Sequence, residues 1–553
     1  MLKLGRKQYG YIALLVIVTL LACIPFFAGG WKPMDDFGFH FNRFRWLVDE
    51  IRMGNLVPFV YNTAYDGYGY AAACFYPYLL LYPFALLCAV GISETVMINV
   101  IYIMAKIVAG VVGYLCFREI FQRMKHENYE RAAIFFSLFM LFDLYQWANL
   151  YKRGALGELL AAIFFPVIFL GFIRILQDTR RWGMLAIGMT GMLYSHVLST
   201  MMACLALAVL LLCYFKTFWR EKQKLWSLGK AAIAVLLFSC AFWIPFLEMY
   251  VSDDYAAKSN VLFSVLQTSF EETVLLNIPI SAIIGGILYL MLVLGFFAYK
   301  KPWMRFAISL LLSGLLVTSV FPWGAFVKVV PFIGSFQFVW RMLGVTVYLS
   351  AYWFSWWLGT KSSKQLEKWI KAGVCYVGVI VFAACIWRYC VSRKADGLWY
   401  SMDYTKSTSI GAFDYTTSKY YLEAVKKYPT MHYEAPATLN PNDYNDNLQV
   451  IQTDLNGKSK QILYQGTDEK TSEQLVLPIL YYKGYTVSEG GKALPTGETE
   501  LGMLYCEPGN GSGVITVTYT GTVAQKAAVS VSAVSLIGLV VCLFVRKKKN
   551  HNI

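Results

Sequence analysis

The sequence predicts a polytopic α-helical membrane protein of about twelve transmembrane helices, with juxtamembrane helices in its first external loop and a small extracytoplasmic β-rich domain. Three observations carry that reading. Apolar residues make up 57% of the 553-residue chain and charged residues only 15%. A soluble domain runs at about 25% charged and could not hide this much apolar surface from water. The apolar residues fall into runs of the ~20 residues that a bilayer-crossing helix needs. Lys and Arg gather in the loops between those runs, which is the distribution that orients membrane helices. Composition also excludes a disordered chain and a collagen-like repeat.

Candidate spans cover 11–29, 96–117, 132–149, 158–176, 182–197, 198–215, 230–249, 276–298, 304–322, 342–359, 369–391 and 527–545. The first, preceded by Lys3, Arg6 and Lys7, reads as an anchor rather than a cleaved signal, because many spans follow and no small-x-small site is evident. The stretch 182–215 reads as a hairpin turning at Ser195-His196. Basic clusters at 118–131, 180–181, 216–230, 300–305, 361–371 and 546–549 mark the inner side. Both termini are then cytoplasmic, and the loops 30–95, 150–157, 250–275, 323–341 and 392–526 are external. The scheme closes only if the apolar stretch 74–92 does not span. Pro77 and Pro83 interrupt it, so it reads as a juxtamembrane or re-entrant element, with a thirteenth span as the alternative.

The chain accordingly divides into a transmembrane module, 1–391, a polar domain, 392–526, and a final helix with a basic tail, 527–553. The polar domain holds short β-branched or alternating runs at 448–451, 461–464, 475–482, 503–506 and 514–519. Asn456-Gly457, Gly490-Gly491 and Pro508 to Gly511 supply turns between them, as in a small antiparallel sandwich or barrel. It carries 12 basic and 15 acidic residues. The chain's net charge of +15 is therefore not a nucleic-acid footprint but largely a property of inner loops facing anionic lipid. Most of the twelve Cys residues lie in apolar runs without C-x-x-C or zinc spacing, which argues against a disulfide framework or metal site. No Walker motif is present. Gly67-Tyr68-Gly69-Tyr70-Ala71-Ala72 fits G-x-G-x-x-A but lacks the strand and βαβ unit of a nucleotide site.

Plotted as a helix, 36–51 places Phe37, Phe41, Phe44, Val48 and Ile51 on one arc and Asp36, His40 and Arg43 on a neighbouring one. Such a helix would lie on the outer surface and point an acid, an imidazole and a guanidinium into one cleft; the plain alternative is a solvated polar face. An acid there can take a proton from an attacking group, and arginine can grip phosphate. Further charges abut apolar spans at the same outer face: Arg153 and Glu158, His196, Glu248, and Arg341 after Gln337. Ionisable residues at membrane depth are costly, and that makes them functional candidates.

These segments resemble the GT-C class of membrane glycosyltransferases, and more narrowly the bacterial membrane proteins labelled "6-pyruvoyl-tetrahydropterin synthase-related" and the kindred YfhO-like proteins. The resemblance is carried by Asp35-Asp36 after the first span and by 36–43, Gly54 to Pro58, and Gly67 to Pro77. It is also carried by 153–161, Ser195-His196, 337–341, and Leu477-Pro478-Ile479 with Tyr481 to Tyr485. It implies transfer of a sugar from a polyprenyl-phosphate carrier to an envelope glycan, such as teichoic acid, on the outer face of a bacterial plasma membrane. It implies Asp36, or Asp35, as the catalytic acid. Arg341, Arg153 and Arg43 become contacts to the donor phosphate, and His40, Glu158, His196, Glu248 and Gln337 supporting groups. A divalent cation could assist, although no complete ligand set is evident, and no nucleic acid is expected as a partner. The rival readings are a flippase for a lipid-linked glycan, which should show internal repeats and midplane charges, and a non-catalytic envelope scaffold.

Overall fold

Apolar runs fold as helices and alternating runs as strands, and the places where each element breaks decide which side chains meet. The computed structural model describes residues 5–24, 34, 36–255, 279–317, 321, 323–331, 339–373, 376, 378–379, 415–427, 438–466 and 473–551. The chain divides into two compact units. One comprises Met1–Phe37, Asn99–Val235 and Val261–Trp399, and the other Gly38–Ile98, Leu236–Asn260 and Tyr400–Ile553.

Among the described residues, Glu94–Arg123, Leu156–Gln177 and Val523–Val541 are each long and apolar enough to cross a bilayer, and two bent pairs raise the number to five. The chain is therefore read as membrane-embedded, and among the described residues length and apolarity support three to five spans, which leaves the expected count of twelve unsupported. Several expected spans are shorter helices: Gly183–Leu193 has 11 residues, Val197–Cys213 has 17 and Pro302–Leu316 has 15. Most of the expected span 369–391 lies outside the described residues. The stretch 74–92 breaks into Ala72–Phe75, a 3₁₀ turn at Leu79–Leu81, and Tyr82–Ala89. The continuous part, Leu79–Ala89, is 11 residues, about 16 Å of helix against a ~30 Å hydrocarbon core.

The expected straight span 132–149 is also broken. Tyr129–Phe142 and Leu144–Arg153 meet at 44°. Asp143 is extended there (φ −65°, ψ 141°), and its carboxylate accepts the amides of Tyr145 and Gln146, capping the second half. That half ends in a π-helical turn, Ala148–Arg153, closed by Gly154 in the left-handed region at φ 63°. An added Cβ on Gly154 would lie 3.0 Å from Phe37 Cβ, so both conformation and space call for glycine there.

In the second unit the helix Phe37–Arg52 differs from the expected surface helix. Its apolar arc is buried, but so are Trp46, Leu47, His40, Asn42, Arg43 and Glu50. The polar face left toward solvent is the row Arg45, Asp49 and Arg52, in which Arg52 pairs with Asp49 at 3.6 Å, and not the expected arc of Asp36, His40 and Arg43.

The polar segment forms a sandwich. The strands are β1 (Leu448–Asn456), β2 (Ser459–Gly466), β3 (Leu475–Leu480), β4 (Tyr485–Glu489), β5 (Lys492–Ala493), β6 (Thr496–Glu498), β7 (Met503–Cys506) and β8 (Ser512–Tyr519). One sheet runs β1-β2-β8-β4-β5 and the other β3-β7-β6, and every pairing is antiparallel. Inward residues of both sheets, including Ile462, Tyr464, Leu477, Ile479, Leu504, Ile515 and Val517, make one core. Gly457 (φ 59°) sits in the two-residue loop between β1 and β2, and Gly490 and Gly491 (φ 54° and 82°) form the one between β4 and β5.

Lys460, on the inner face of β2, is buried and donates to Gly67 O. Glu50 is fully buried and accepts from Asn62 N at 2.5 Å, Asn55 Nδ2 at 2.6 Å and Asn62 Nδ2 at 3.2 Å. Burial pushes the Lys460 ammonium down to about 7, with Glu50 opposing the shift. Burial likewise raises the Glu50 carboxyl, against its hydrogen bonds. Between about pH 7 and about 10.4 the unfolded chain binds more protons at Lys460 than the folded one, so stability rises with pH across that window. Glu50 acts in the opposite sense in a more acid range. From pH 7 to pH 9 the thermal midpoint of the full chain should gain relative to that of Lys460→Met, the difference between the two widening as the pH rises. A difference that does not widen would remove Lys460 as the source of the rise.

Candidate active site

The first unit brings four of the expected charged residues into one chain of ion pairs. Arg153 ends the π turn, and Glu158 lies in the first turn of Leu156–Ala161. Gly154 turns the backbone between them so that they face each other. Arg153 Nη1 donates to Glu158 Oε1 at 2.8 Å and to Asn149 Oδ1 at 2.8 Å. Its Nη2 reaches Asp36 Oδ2 at 3.2 Å, and the Asp36 amide donates to Arg153 O at 2.6 Å. Arg341, in the 3₁₀ turn Val339–Met342, places Nε 3.3 Å from Glu158 Oε1. The second Glu158 oxygen accepts from the Tyr145 hydroxyl and from Asn149 Nδ2 at 3.2 Å.

Burial is graded along this chain. The Glu158 side chain is 7% exposed, while Asp36 at its far end is 44% exposed. Two acids and two guanidiniums alternate, so the buried part is neutralised and only the Asp36 carboxylate opens to solvent. A narrow cavity of about 10 Å³ adjoins the network, roughly the size that holds one water. Its polar wall is Tyr145, Asn149, Glu158 and Arg341, and its apolar wall includes Phe165, Leu198 and Met202.

His196 caps Val197–Cys213, with Nδ1 accepting from Ser199 N at 3.3 Å and lying 2.9 Å from Ser199 Oγ. His40 and Arg43 belong to the second unit and are buried with each other. Arg43 Nε donates to His40 Nδ1 at 3.2 Å, Nη1 donates to Pro77 O at 2.9 Å, and the guanidinium lies 4.1 Å over the Tyr76 ring. Asp36 stands in the turn before the helix, which starts at Phe37, while His40 and Arg43 lie on the helix in the second unit. Glu248, also in the second unit, accepts from Thr522 Oγ1 at 2.7 Å and lies 3.6 Å from Lys483. Asp35 and Gln337 lie outside the described residues. Among the described residues no group of three or more His, Cys, Asp or Glu side chains is arranged to hold a metal ion.

Sequence reasoning missed Tyr145 and Asn149. The available signal was their spacing from Arg153, at positions 145, 149 and 153, together with a buried Asn near the end of an apolar run.

No family model matches the chain. An uncharacterized protein of Lactococcus lactis subsp. cremoris (strain MG1363) is 22% identical over 260 residues, which is 46% of this chain and 42% of that one. Among solved structures, a mutant form of the arabinofuranosyltransferase AftD from mycobacteria is 15% identical with a TM-score of 0.41, covering 68% of this chain and 28% of that one. A second AftD structure is 15% identical with a TM-score of 0.38, covering 69% and 26%. The chain thus spans less than half the length of each protein it is similar to.

Removing the Glu158 charge takes a carboxylate from two buried guanidiniums, of which Arg153 keeps Asp36. Glu158→Gln should destabilise the protein by about 3–5 kcal/mol, read from denaturant unfolding in detergent. A loss below about 1 kcal/mol would mean that the network does not depend on this carboxylate.

Proposed function

We propose that this chain is a membrane glycosyltransferase of the GT-C type, moving a sugar from a polyprenyl-phosphate carrier to a cell-envelope glycan on the outer face of a bacterial plasma membrane. The observation that carries the reading is the graded ion-pair chain, in which a half-exposed carboxylate is held by arginine beside a buried, charge-balanced cavity. In this reading Asp36 is the base. The acceptor hydroxyl attacks the anomeric carbon, its proton passes to the Asp36 carboxylate, and the carbon–oxygen bond to phosphate breaks with its electron pair leaving on the polyprenyl phosphate. Configuration inverts, as the family resemblance implies.

The two arginines divide the labour. Arg153 is committed to both acids and orients Asp36. Arg341 makes the longer contact to Glu158 and stabilises the departing phosphate. The cavity is smaller than a sugar phosphate, so donor entry must separate Arg341 from Glu158. The β-sandwich faces outward and selects the acceptor glycan, and both termini are cytoplasmic.

The test supplies purified protein with radiolabelled polyprenyl-phosphate sugar and an envelope glycan. Asp36→Asn should lower kcat by about 10²–10⁴-fold, whereas Asp35→Asn should retain most of the activity. Arg341→Ala should lower kcat/KM, with partial recovery in Arg341→Lys. Undiminished transfer in both Asp36→Asn and Arg341→Ala would overturn the assignment. Carrier movement across vesicles without any transfer would make the protein a transporter instead.

A further inference from the structure

The long helix Glu94–Arg123 carries Tyr102 and Lys106 one turn apart, and both side chains are buried. A lysine within an apolar membrane helix is costly and calls for a specific partner. Each side chain donates to a backbone carbonyl of the broken helix. Lys106 Nζ lies 3.1 Å from Leu141 O, and Tyr102 OH lies 2.6 Å from Gly154 O.

Those two carbonyls bracket the break. In a continuous helix the Tyr145 amide would donate to Leu141 O, four residues earlier. Here it donates to the Asp143 carboxylate at 2.8 Å, which takes that partner from Leu141 O. A freed carbonyl in a buried apolar helix needs another donor, and Lys106 supplies one. Its positive charge sits where the first half-helix ends, and the Asp143 carboxylate sits where the second begins, so each complements the dipole end beside it. At the far end Gly154 O, which also accepts from Leu156 N at 2.9 Å, is held by Tyr102. Between the two anchors lie Tyr145, Asn149 and Arg153, the three residues of this segment that touch Glu158.

We infer that Lys106 and Tyr102 are positioning residues: they fix both ends of the 141–154 segment and so set Tyr145, Asn149 and Arg153 against Glu158. Only the activity arm of the test rests on the glycosyltransferase reading.

The test measures amide hydrogen exchange on the full chain in nanodiscs. Lys106→Met should speed exchange across 143–154 by about tenfold or more, while amides of β2 and β8 stay unchanged. Lys106→Arg, which keeps a charged donor, should restore protection. Tyr102→Phe, the milder change, should speed exchange toward the Gly154 end. In the transfer assay Lys106→Met should lower kcat about 10–100-fold at unchanged donor KM, and should add little to the loss already caused by Arg153→Ala. Unchanged exchange at 143–154, an equal rise in the β-sandwich, or no rescue by Lys106→Arg would each overturn the inference. Local exchange changes in a protein whose wild type transfers no sugar would support the positioning role and overturn the glycosyltransferase reading.

Discussion

One buried carboxylate organises the first unit. Glu158 takes four donors: two guanidiniums, a phenol and an amide. Removing a carboxylate from water costs several kcal/mol unless its lone pairs are used and its charge is balanced. The elements that bring those donors must therefore converge on it. Arg153 and Asn149 arrive on the π turn, Tyr145 on the short helix after the break, and Arg341 on a 3₁₀ turn distant in sequence. Glu158 itself stands in the first turn of its helix, where a negative charge is favoured. Asp36 joins through Arg153 without adding to the buried charge, and this lets one end of the network stay open to solvent while the other is sealed.

Arg153, Glu158 and Arg341 were legible in the sequence because a charge beside an apolar run has few explanations other than a partner. Asp36 was legible as a candidate, but its tie to Arg153 was not. A helical plot beginning at residue 36 says nothing of the Arg153 carbonyl that accepts its backbone amide. Tyr145 and Asn149 carry no charge, so reading 132–149 as one apolar span singled out neither, although their spacing from Arg153 is that of one helix face. The Asp143 break and the π turn leave no trace in apolar periodicity. The runs at 448–451, 461–464, 475–482, 503–506 and 514–519 fall on β1, β2, β3, β7 and β8, while the short strands β4, β5 and β6 had been read as no run at all. The pairing of β2 with β8 is set by packing across the sandwich, which no local pattern reports.

The sequence Gly67-Tyr68-Gly69 has the form of a phosphate-binding turn, yet its glycines answer a different need. Both adopt positive φ, 87° in each case. A Cβ on Gly69 would lie 3.1 Å from Tyr485 Oη, and Gly67 presents its carbonyl to Lys460. The turn lets the loop backbone press against the sheet within the second unit. Leu480 N, which donates to Tyr68 O at 3.0 Å, adds a further tie at the same place. Glycine spacing alone cannot distinguish backbone meeting phosphate from backbone meeting a neighbouring strand.

The π turn at Ala148–Arg153 has a consequence for how this chain tolerates change in length. A π turn is an α-helical turn that has accommodated one extra residue. Each residue advances a helix by about 100°. Loss of any single residue between 148 and 153 would let the segment relax to an ordinary helix. Tyr145 and Arg153 would then stand seven residues apart and still share a face, whereas a loss at position 148 would move Asn149 from four residues after Tyr145 to three and turn it away from Glu158. The length of this segment therefore sets where the amide stands more than where the arginine does.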